Sequence, residues 1–149
     1  MTKQIDARFI KRKIKLIEED LLRLKQLEKF TMDEIAGDFY KYCTAERLLE
    51  VIIMRSVDIN SHVIARLGTG IERVRGYMDT FLILGDMEIL PKKFAKIIAG
   101  SAKFRNILAH EYDKIEMDQI YNSISEGLRD FKKYCKCILK FLEKRKVLK

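Results

Sequence analysis

Apolar residues recur along the chain with the spacing of amphipathic helices. In residues 6–29, five isoleucines and leucines are separated by four, three, four and three positions, which places them on one helix face. These residues are Ile10, Ile14, Ile17, Leu21 and Leu24. A similar pattern, close to a seven-residue repeat, follows Asp118, which is a favourable N-cap for a last helix. Its apolar face comprises Ile120, Ile124, Leu128, Phe131, Cys135, Ile138 and Leu142.

The stretch between these helices predicts a long second helix. Residues 31–34, Thr-Met-Asp-Glu, have the spacing of a capping box. A helical pattern then continues to about Arg66, and a break at either Gly37 or Thr44 would divide it into two helices. Its wide apolar surface comprises Leu48, Leu49, Ile52, Ile53, Val57, Ile59 and Val63. Residues 68–70, Gly-Thr-Gly, match no phosphate-binding glycine pattern and predict a helix C-cap and turn.

Two shorter helices are predicted next. One extends from Tyr77 to Leu84 and is closed by Gly85, and Pro91 suits the first turn of the other. Residues expected to face inward on that helix are Phe94, Ile97, Ile98, Ala102 and Phe104. No stretch alternates like a strand, so we predict an all-α fold, a single domain over residues 1–149 that forms an antiparallel bundle of four to five helices.

Composition narrows the class of protein. With 48% hydrophobic and 35% charged residues, the chain is unlike disordered sequences. Its net charge of +8 is compatible with a polyanionic partner such as RNA. For any single basic cluster, a solvated helix face is the favoured interpretation, and the cations near the C-terminus also suit the dipole of the last helix.

The sequence gives little support for a metal site, a redox-active site or a membrane span. Cys135 and Cys137 would point about 200° apart on a helix, and no other cysteine or histidine group has zinc-site spacing. We therefore expect no metal and no cofactor. Residues 1–20 lack the apolar core of a signal peptide, and no run approaches the ~20 apolar residues of a membrane span. We expect a cytoplasmic protein without a membrane partner. His62 has no catalytic-type neighbour, so we expect a structural or surface role for it.

The candidate site is residues 104–112, which contain the second histidine. This stretch combines a permanent cation at Arg105, an imidazole at His110 and a phenol at Tyr112. On an unbroken helix Arg105 and Tyr112 lie within about 20° of each other, whereas His110 is rotated about 140° from Arg105. For arginine and histidine to converge, the helix must end or unwind near Ala109.

These groups suit metal-independent RNA cleavage. A histidine with a pKa near 6.5 can accept the proton of a ribose 2′-OH or donate one to the leaving 5′-oxygen. An arginine can stabilise the phosphorane with two parallel N–H donors. A single histidine performs only half of this chemistry, so we expect a homodimer in which a two-fold axis supplies the second one. The wide apolar surface between Leu48 and Val63 is a further reason to expect a dimer.

The sequence Arg-Asn-Ile-Leu-Ala-His-Glu-Tyr, residues 105–112, resembles the Arg-x4-His-x-Tyr signature of HEPN-domain proteins, specifically the HepT-like toxins. Residues 42–50, the Asp58-x3-His62 pair, residues 76–84 and the Asp113-x-Ile115 pair are also similar to that family. Gly76, where a serine-like residue is expected, and Ala109, in place of a commoner valine, depart from the pattern without removing a candidate catalytic group.

The resemblance implies an α-helical homodimer whose two motifs meet in a cleft. It further implies a metal-independent endoribonuclease, the toxin of a type II or type VII toxin–antitoxin system, which acts on tRNA or mRNA. Arg105 and His110 take the catalytic positions, and Asn106 orients the histidine or the phosphate. An MntA-like nucleotidyltransferase antitoxin would attach AMP to Tyr112, placing a competing anion near Arg105.

Two other hypotheses remain open from the residues. The chain could be a non-catalytic partner of a nucleotidyltransferase that uses the same cleft to bind a nucleotide or the partner protein. Alternatively, it could be a structural bundle in which the motif forms only a helix-end contact. The neutralisation by the partner could likewise be covalent, by binding, or both.

Overall fold

The computed structural model describes residues 4–68, 70–100 and 117–147, with side chains described at all of these except 117–119 and 147. The described residues form helices and connecting turns and no strand, which confirms the predicted all-α class. The elements are α1 (Ala7–Glu28), α2 (Met32–Ala36), α3 (Phe39–Leu67), a 3-10 turn (Ile71–Arg73), α4 (Tyr77–Asp86), α5 (described over residues 92–100) and α6 (Met117–Val147).

Side-chain caps account for the first helix boundaries. The Asp6 carboxylate accepts the Phe9 N–H at 3.1 Å, which starts α1. Thr31 and Glu34 form the predicted capping box, with bonds of 3.2 and 3.0 Å. The chain then breaks at Gly37, since Asp38 caps the start of α3; Thr44, the other predicted break, lies inside α3.

The glycine predicted to cap the second long helix does so. Gly68 adopts a left-handed conformation, with φ of 66°, and its N–H bonds to the Ile64 carbonyl at 3.0 Å. This backbone conformation is strained for residues that carry a Cβ, so glycine is suited to the end of α3.

Three predicted details are wrong at the later helices. Gly85 lies inside α4, where a Cβ would approach the Ala95 side chain to 2.6 Å, so glycine permits close packing of α4 on α5. Pro91 precedes the helix rather than entering its first turn, since its carbonyl accepts the Ala95 N–H at 2.8 Å. Asp118 lies within α6, which already includes Met117, and therefore is not an N-cap, whose backbone is non-helical.

The buried face of α5 also differs from the expected one. It is formed by Phe94, Ala95, Ile98 and Ala99, in adjacent pairs one turn apart. Ile97 lies off this face and is 56% exposed. Ala102 and Phe104, which were also expected to face inward, lie outside the described residues.

Helices α1, α3, α5 and α6 alternate in direction, and the short α4 lies between α3 and α5 in the chain. The directions follow from pairs of contacts in which the residue number rises along one helix as it falls along the other. They are Asp6–His62 and Lys13–Asp58 for α1 and α3, and Leu24–Gly127 and Glu28–Ser125 for α1 and α6. For α5 and α6, Phe94 lies near Lys133, and Gly100 lines a cavity together with Gly127. Helices α3 and α6 are parallel, because Leu49 lies near Gly127 and Ser56 near Tyr134. The antiparallel bundle is thereby confirmed.

The apolar stripes predicted on α1, α3 and α6 form the core. Every residue of the α1 and α3 stripes is buried, and on α6 only Leu128 is half-buried. The α3 stripe is therefore covered within one chain. Its width does not support the expected homodimer, which now rests on the catalytic argument and the family resemblance.

A buried carboxylate fixes α1 against α3. Asp20 is only 5% exposed and forms ion pairs with Arg23 at 2.8 Å and with Arg55 of α3. Arg55 also donates to the Leu16 carbonyl at 3.3 Å. A buried charge is tolerated when it is paired in this way, so the two helices have a preferred register.

A buried hydrogen-bond network joins α3, α4 and α6. The Tyr134 hydroxyl lies 3.0 Å from the Ser56 carbonyl and within hydrogen-bond distance of the Asn60 amide oxygen. The Asn60 amide donates to the Thr80 hydroxyl at 3.1 Å, which in turn donates to the Tyr77 carbonyl at 2.7 Å. Burial raises the pKa of Tyr134 well above its ordinary value, so the phenol stays protonated and can donate.

We expect Tyr134→Phe to destabilise the fold by about 1–3 kcal/mol, because it leaves the buried Asn60 amide without one partner. The measurement is the free energy of unfolding by chemical denaturation. Tyr121→Phe is the matched control, since Tyr121 is half-buried on the same helix and has no hydroxyl hydrogen bond to the described residues. Equal stability of the two variants would show that the network contributes nothing.

Candidate functional site

All four predicted site residues, Arg105, Asn106, His110 and Tyr112, lie outside the described residues, as does the predicted helix end near Ala109. The described elements on either side frame this stretch. Helix α5 leads into it from Gly100, and α6 leads away from it after Met117. Because α5 and α6 are antiparallel neighbours, both flanks lie at one end of the bundle.

A cavity of about 320 Å³ opens at this end, between α3, α5 and α6. Leu49, Gly100 and Gly127 are among the residues that line it. Its polar side includes the buried Asp130, which is 6% exposed and receives a hydrogen bond from the exposed Arg129 at 3.0 Å. The described part of α5 therefore reaches, at Gly100, a cavity with a buried carboxylate, and the candidate stretch begins four residues later in the sequence.

Asp130 was not indicated by the sequence. Asp130 directly precedes the apolar Phe131, and an aspartate beside the apolar face of an amphipathic helix is normally expected to be exposed to solvent. Its burial depends on the approach of α5 to α6, a tertiary feature that the local pattern does not contain. The one related feature in the sequence is that Gly100 and Gly127 are both glycines, which permit close approach of α5 to α6.

A second group of titratable side chains lies on the first half of α3, within the stretch that resembles the HEPN family. Tyr42, Glu46 and Glu50 are spaced by four residues and are all half-buried. Burial raises the pKa of Glu46, and the nearby Glu50 carboxylate raises it further. Burial is also the main cause of the raised pKa of Tyr42. Arg47 partly offsets the negative charge, with its guanidinium 3.6 Å from Glu50.

Metal and thiol chemistry receive no structural support from the described residues. Within residues 4–68, 70–100 and 117–147, no three metal-binding side chains cluster. Burial raises the pKa of Cys135 to about 12 and also raises that of Cys137, so both remain thiols at neutral pH. Every helix in these ranges is too short or too polar to span a bilayer.

Comparison with known proteins gives consistent matches. Residues 17–138 match the family model described as "Ribonuclease HepT-like". A curated relative, the tRNA nuclease HepT of Aphanizomenon flos-aquae (strain 2012/KM1/D3), is 33% identical over 138 residues, which cover 93% of this chain and 92% of that protein.

Solved structures share the fold at lower identity. A toxin–antitoxin crystal structure with AMP-PNP has a TM-score of 0.82 at 19% identity, covering 90% of this chain and 99% of that one. The tri-AMPylated Shewanella oneidensis HEPN toxin in complex with its MNT antitoxin has a TM-score of 0.81 at 20% identity, covering 91% and 99%. The cytosolic protein YutE of Bacillus subtilis, of unknown function, has a TM-score of 0.82 at 16% identity, covering 96% and 94%.

The other histidine, His62, has the structural role that was expected. Its Nε2 accepts the backbone N–H of Asp6 at 3.0 Å, and its ring lies 4.9 Å from the ring of Phe9. It thus ties the end of α3 to the start of α1. Burial lowers the pKa of His62, Arg66 lowers it further, and Asp6 opposes the shift, so the neutral acceptor form is favoured.

This lowered pKa predicts that acid weakens the fold through His62. Below the ordinary pKa of 6.5 the unfolded chain takes up a proton that the folded histidine binds less readily, so stability falls as pH decreases. In His62→Gln the amide oxygen can accept the same hydrogen bond without titrating. We expect wild type to lose more unfolding free energy than this variant between about pH 7.5 and pH 5.5. Identical pH profiles would contradict the role assigned to His62.

Proposed function

The chain belongs to the HepT-like ribonuclease family, and on this basis we propose that it is a metal-independent RNA endonuclease and the toxin of a toxin–antitoxin pair. One observation carries this proposal: the family match over residues 17–138 contains the whole Arg-x4-His-x-Tyr set, with no catalytic-type group replaced. The curated relative is named a tRNA nuclease, so tRNA is the first substrate to test and mRNA the second.

In this proposal His110 and Arg105 perform the reaction. The 2′-oxygen of the substrate attacks the adjacent phosphorus, His110 accepts its proton, and Arg105 donates hydrogen bonds to the negatively charged phosphorane. The bond to the 5′-oxygen then breaks, which leaves a 2′,3′-cyclic phosphate and a 5′-hydroxyl. Asn106 would orient either the imidazole or the phosphate.

The leaving 5′-oxygen requires a proton, and one histidine per chain cannot be base and acid within the same step. A homodimer with an isologous contact would place a second His110 across the two-fold axis to supply that proton. General acid–base catalysis of this kind contributes roughly 10²–10⁴-fold in rate. The proposed site is therefore shared by two subunits.

We propose that modification of Tyr112 inactivates the ribonuclease. An MntA-like nucleotidyltransferase would attach AMP to the Tyr112 hydroxyl and place a phosphate close to Arg105, in competition with the RNA phosphate. The AMPylated Shewanella oneidensis toxin supports this as a reaction of a protein with the same fold. The antitoxin could also act by binding alone.

A second candidate function is non-catalytic binding of a nucleotide or of a nucleotidyltransferase. It is favoured by the toxin–antitoxin structure with AMP-PNP, in which a nucleotide accompanies a protein of this fold. In that case Tyr112 would be modified, but the chain alone would neither cleave RNA nor inhibit growth.

The catalytic assignment predicts that His110→Ala and Arg105→Ala each reduce RNA cleavage by roughly 10²-fold or more, because each removes a group that acts in the transition state. Cleavage is measured on tRNA in EDTA, with identification of the product ends. His62→Gln is the matched control and should cleave at the wild-type rate, since its histidine is structural. Undiminished cleavage by His110→Ala would rule out the mechanism.

The control assignment predicts that Tyr112→Phe escapes inactivation. Incubated with ATP and the cognate nucleotidyltransferase, the wild-type protein should gain adenylyl groups and lose RNase activity, while the variant should remain unmodified and active. Mass spectrometry and the cleavage assay report the two effects, with Tyr121→Phe as the control that is still modified. If the variant is inactivated without an adduct, neutralisation is by binding instead.

A further inference from the structure

The positive charge of the chain is concentrated in two stretches outside the candidate motif. Residues 131–147 contain seven basic residues and one acidic residue, and residues 91–100 contain three lysines and no acidic residue. The two stretches together carry a net charge of +9, which exceeds the +8 of the whole chain, so the remaining residues are close to neutral in sum. They belong to α6 and α5, which pack together where the Lys133 ammonium lies 4.7 Å from the ring of Phe94.

A groove of about 420 Å³ separates the start of α5 from the second half of α6. Its cationic lining is Lys92, Lys140 and Lys144, with Phe141 as an apolar side and Glu88 as the one carboxylate among the described lining residues. On α6, Lys140 and Lys144 lie about 40° apart around the axis, so both project from the same face. We call this feature the basic groove.

The lysines of the basic groove are available to an external anion. Lys92, Lys140 and Lys144 are exposed, and within the described part of the chain none of them forms an ion pair. By contrast, cations such as Lys13 and Arg73 pair with carboxylates at 2.9 and 3.0 Å. Unpaired lysines can neutralise phosphates of a nucleic acid, and the release of the counterions that these phosphates had condensed favours binding.

Helix stability explains only part of this arrangement. Lys144 is in the last turn of α6, where the helix dipole favours a cation. Lys92 and Lys93, however, are in the first turn of α5, where the dipole disfavours positive charge, and no acidic residue accompanies them. A local arrangement that opposes stability is expected where residues serve binding.

We propose that the basic groove binds the phosphodiester backbone of the RNA on one side of the cleavage site. This inference rests on the proposed ribonuclease function and assigns the residues that hold the substrate. At 1.5 Å per residue, Lys92 is about 12 Å along α5 from Gly100, the last residue described before the candidate stretch. The groove is therefore expected to contact phosphates other than the one that is cut.

The test is the triple variant Lys92→Gln, Lys140→Gln and Lys144→Gln in the full chain. Glutamine removes the charge and keeps helix propensity, so the bundle should fold, as circular dichroism can verify. Binding of fluorescently labelled tRNA is measured by anisotropy in a His110→Ala background across about 50–200 mM salt. We expect the slope of log K against log salt to fall by about 2 and the affinity at ~0.1 M salt to fall roughly 10-fold or more.

In the catalytically intact background the same triple variant should raise KM for tRNA while kcat at saturating tRNA stays at the wild-type value. Lys11→Gln, Arg12→Gln and Lys15→Gln form the matched control, which removes the same charge from the exposed side of α1. This control should retain most of the affinity and of the salt slope.

Two outcomes would overturn the proposal. The α1 control could lose as much affinity as the groove variant, which would show that total charge alone determines binding. Alternatively, the groove variant could bind tRNA as wild type does, and if it also loses its complex with the nucleotidyltransferase, the groove is a protein-docking surface. Wild-type cleavage, measured in parallel, separates these outcomes from failure of the proposed function itself.

Discussion

The hydrogen-bond network around Tyr134 constrains the rest of the bundle. Its donors and acceptors come from α3, α4 and α6, and each would be costly to leave unpaired in the core. Apolar side chains alone tolerate sliding of one helix along another, whereas this set of bonds is satisfied in one register only. That register places the described start of α6 beside the first half of α3, and the described part of α5 reaches the same region at Gly100. The candidate motif lies between Gly100 and Met117 in the chain.

The helices with strong apolar stripes could be predicted from sequence because their signals are local. The four-three spacing on α1, the capping box at Thr31 and the left-handed glycine at Gly68 depend on residues within a few positions of one another. The details that differed depend on tertiary contacts. The role of Gly85 comes from the approach of Ala95, and the pairing of Tyr134 with Asn60 joins positions 74 apart in sequence.

The candidate site shows the same division. Arg105, His110 and Tyr112 were indicated by residue type, spacing and family resemblance, and they lie outside the described residues. Asp130 and the raised pKa of Glu46 were not indicated, since both result from burial that only the assembled helices produce. The homodimer is a different case. The argument from the apolar width of α3 failed because that face is buried within the chain. The expected homodimer therefore rests on the need for a second His110 and on the family resemblance.

Under the two proposals, different parts of the chain perform catalysis and bind the substrate: the Arg-x4-His-x-Tyr motif cleaves RNA, and the basic groove binds it. Proton transfer needs a few groups held in close geometry, whereas affinity for a polyanion accumulates from separate phosphate contacts and depends on salt. The basic groove is formed by lysines outside the Arg-x4-His-x-Tyr motif, and its Lys92 is about 12 Å from Gly100, measured along α5. AMP at Tyr112 would then block cleavage without removing the groove. If the AMPylated protein still binds RNA but does not cleave it, the modification inhibits the active site. If it no longer binds RNA, the modification excludes the substrate.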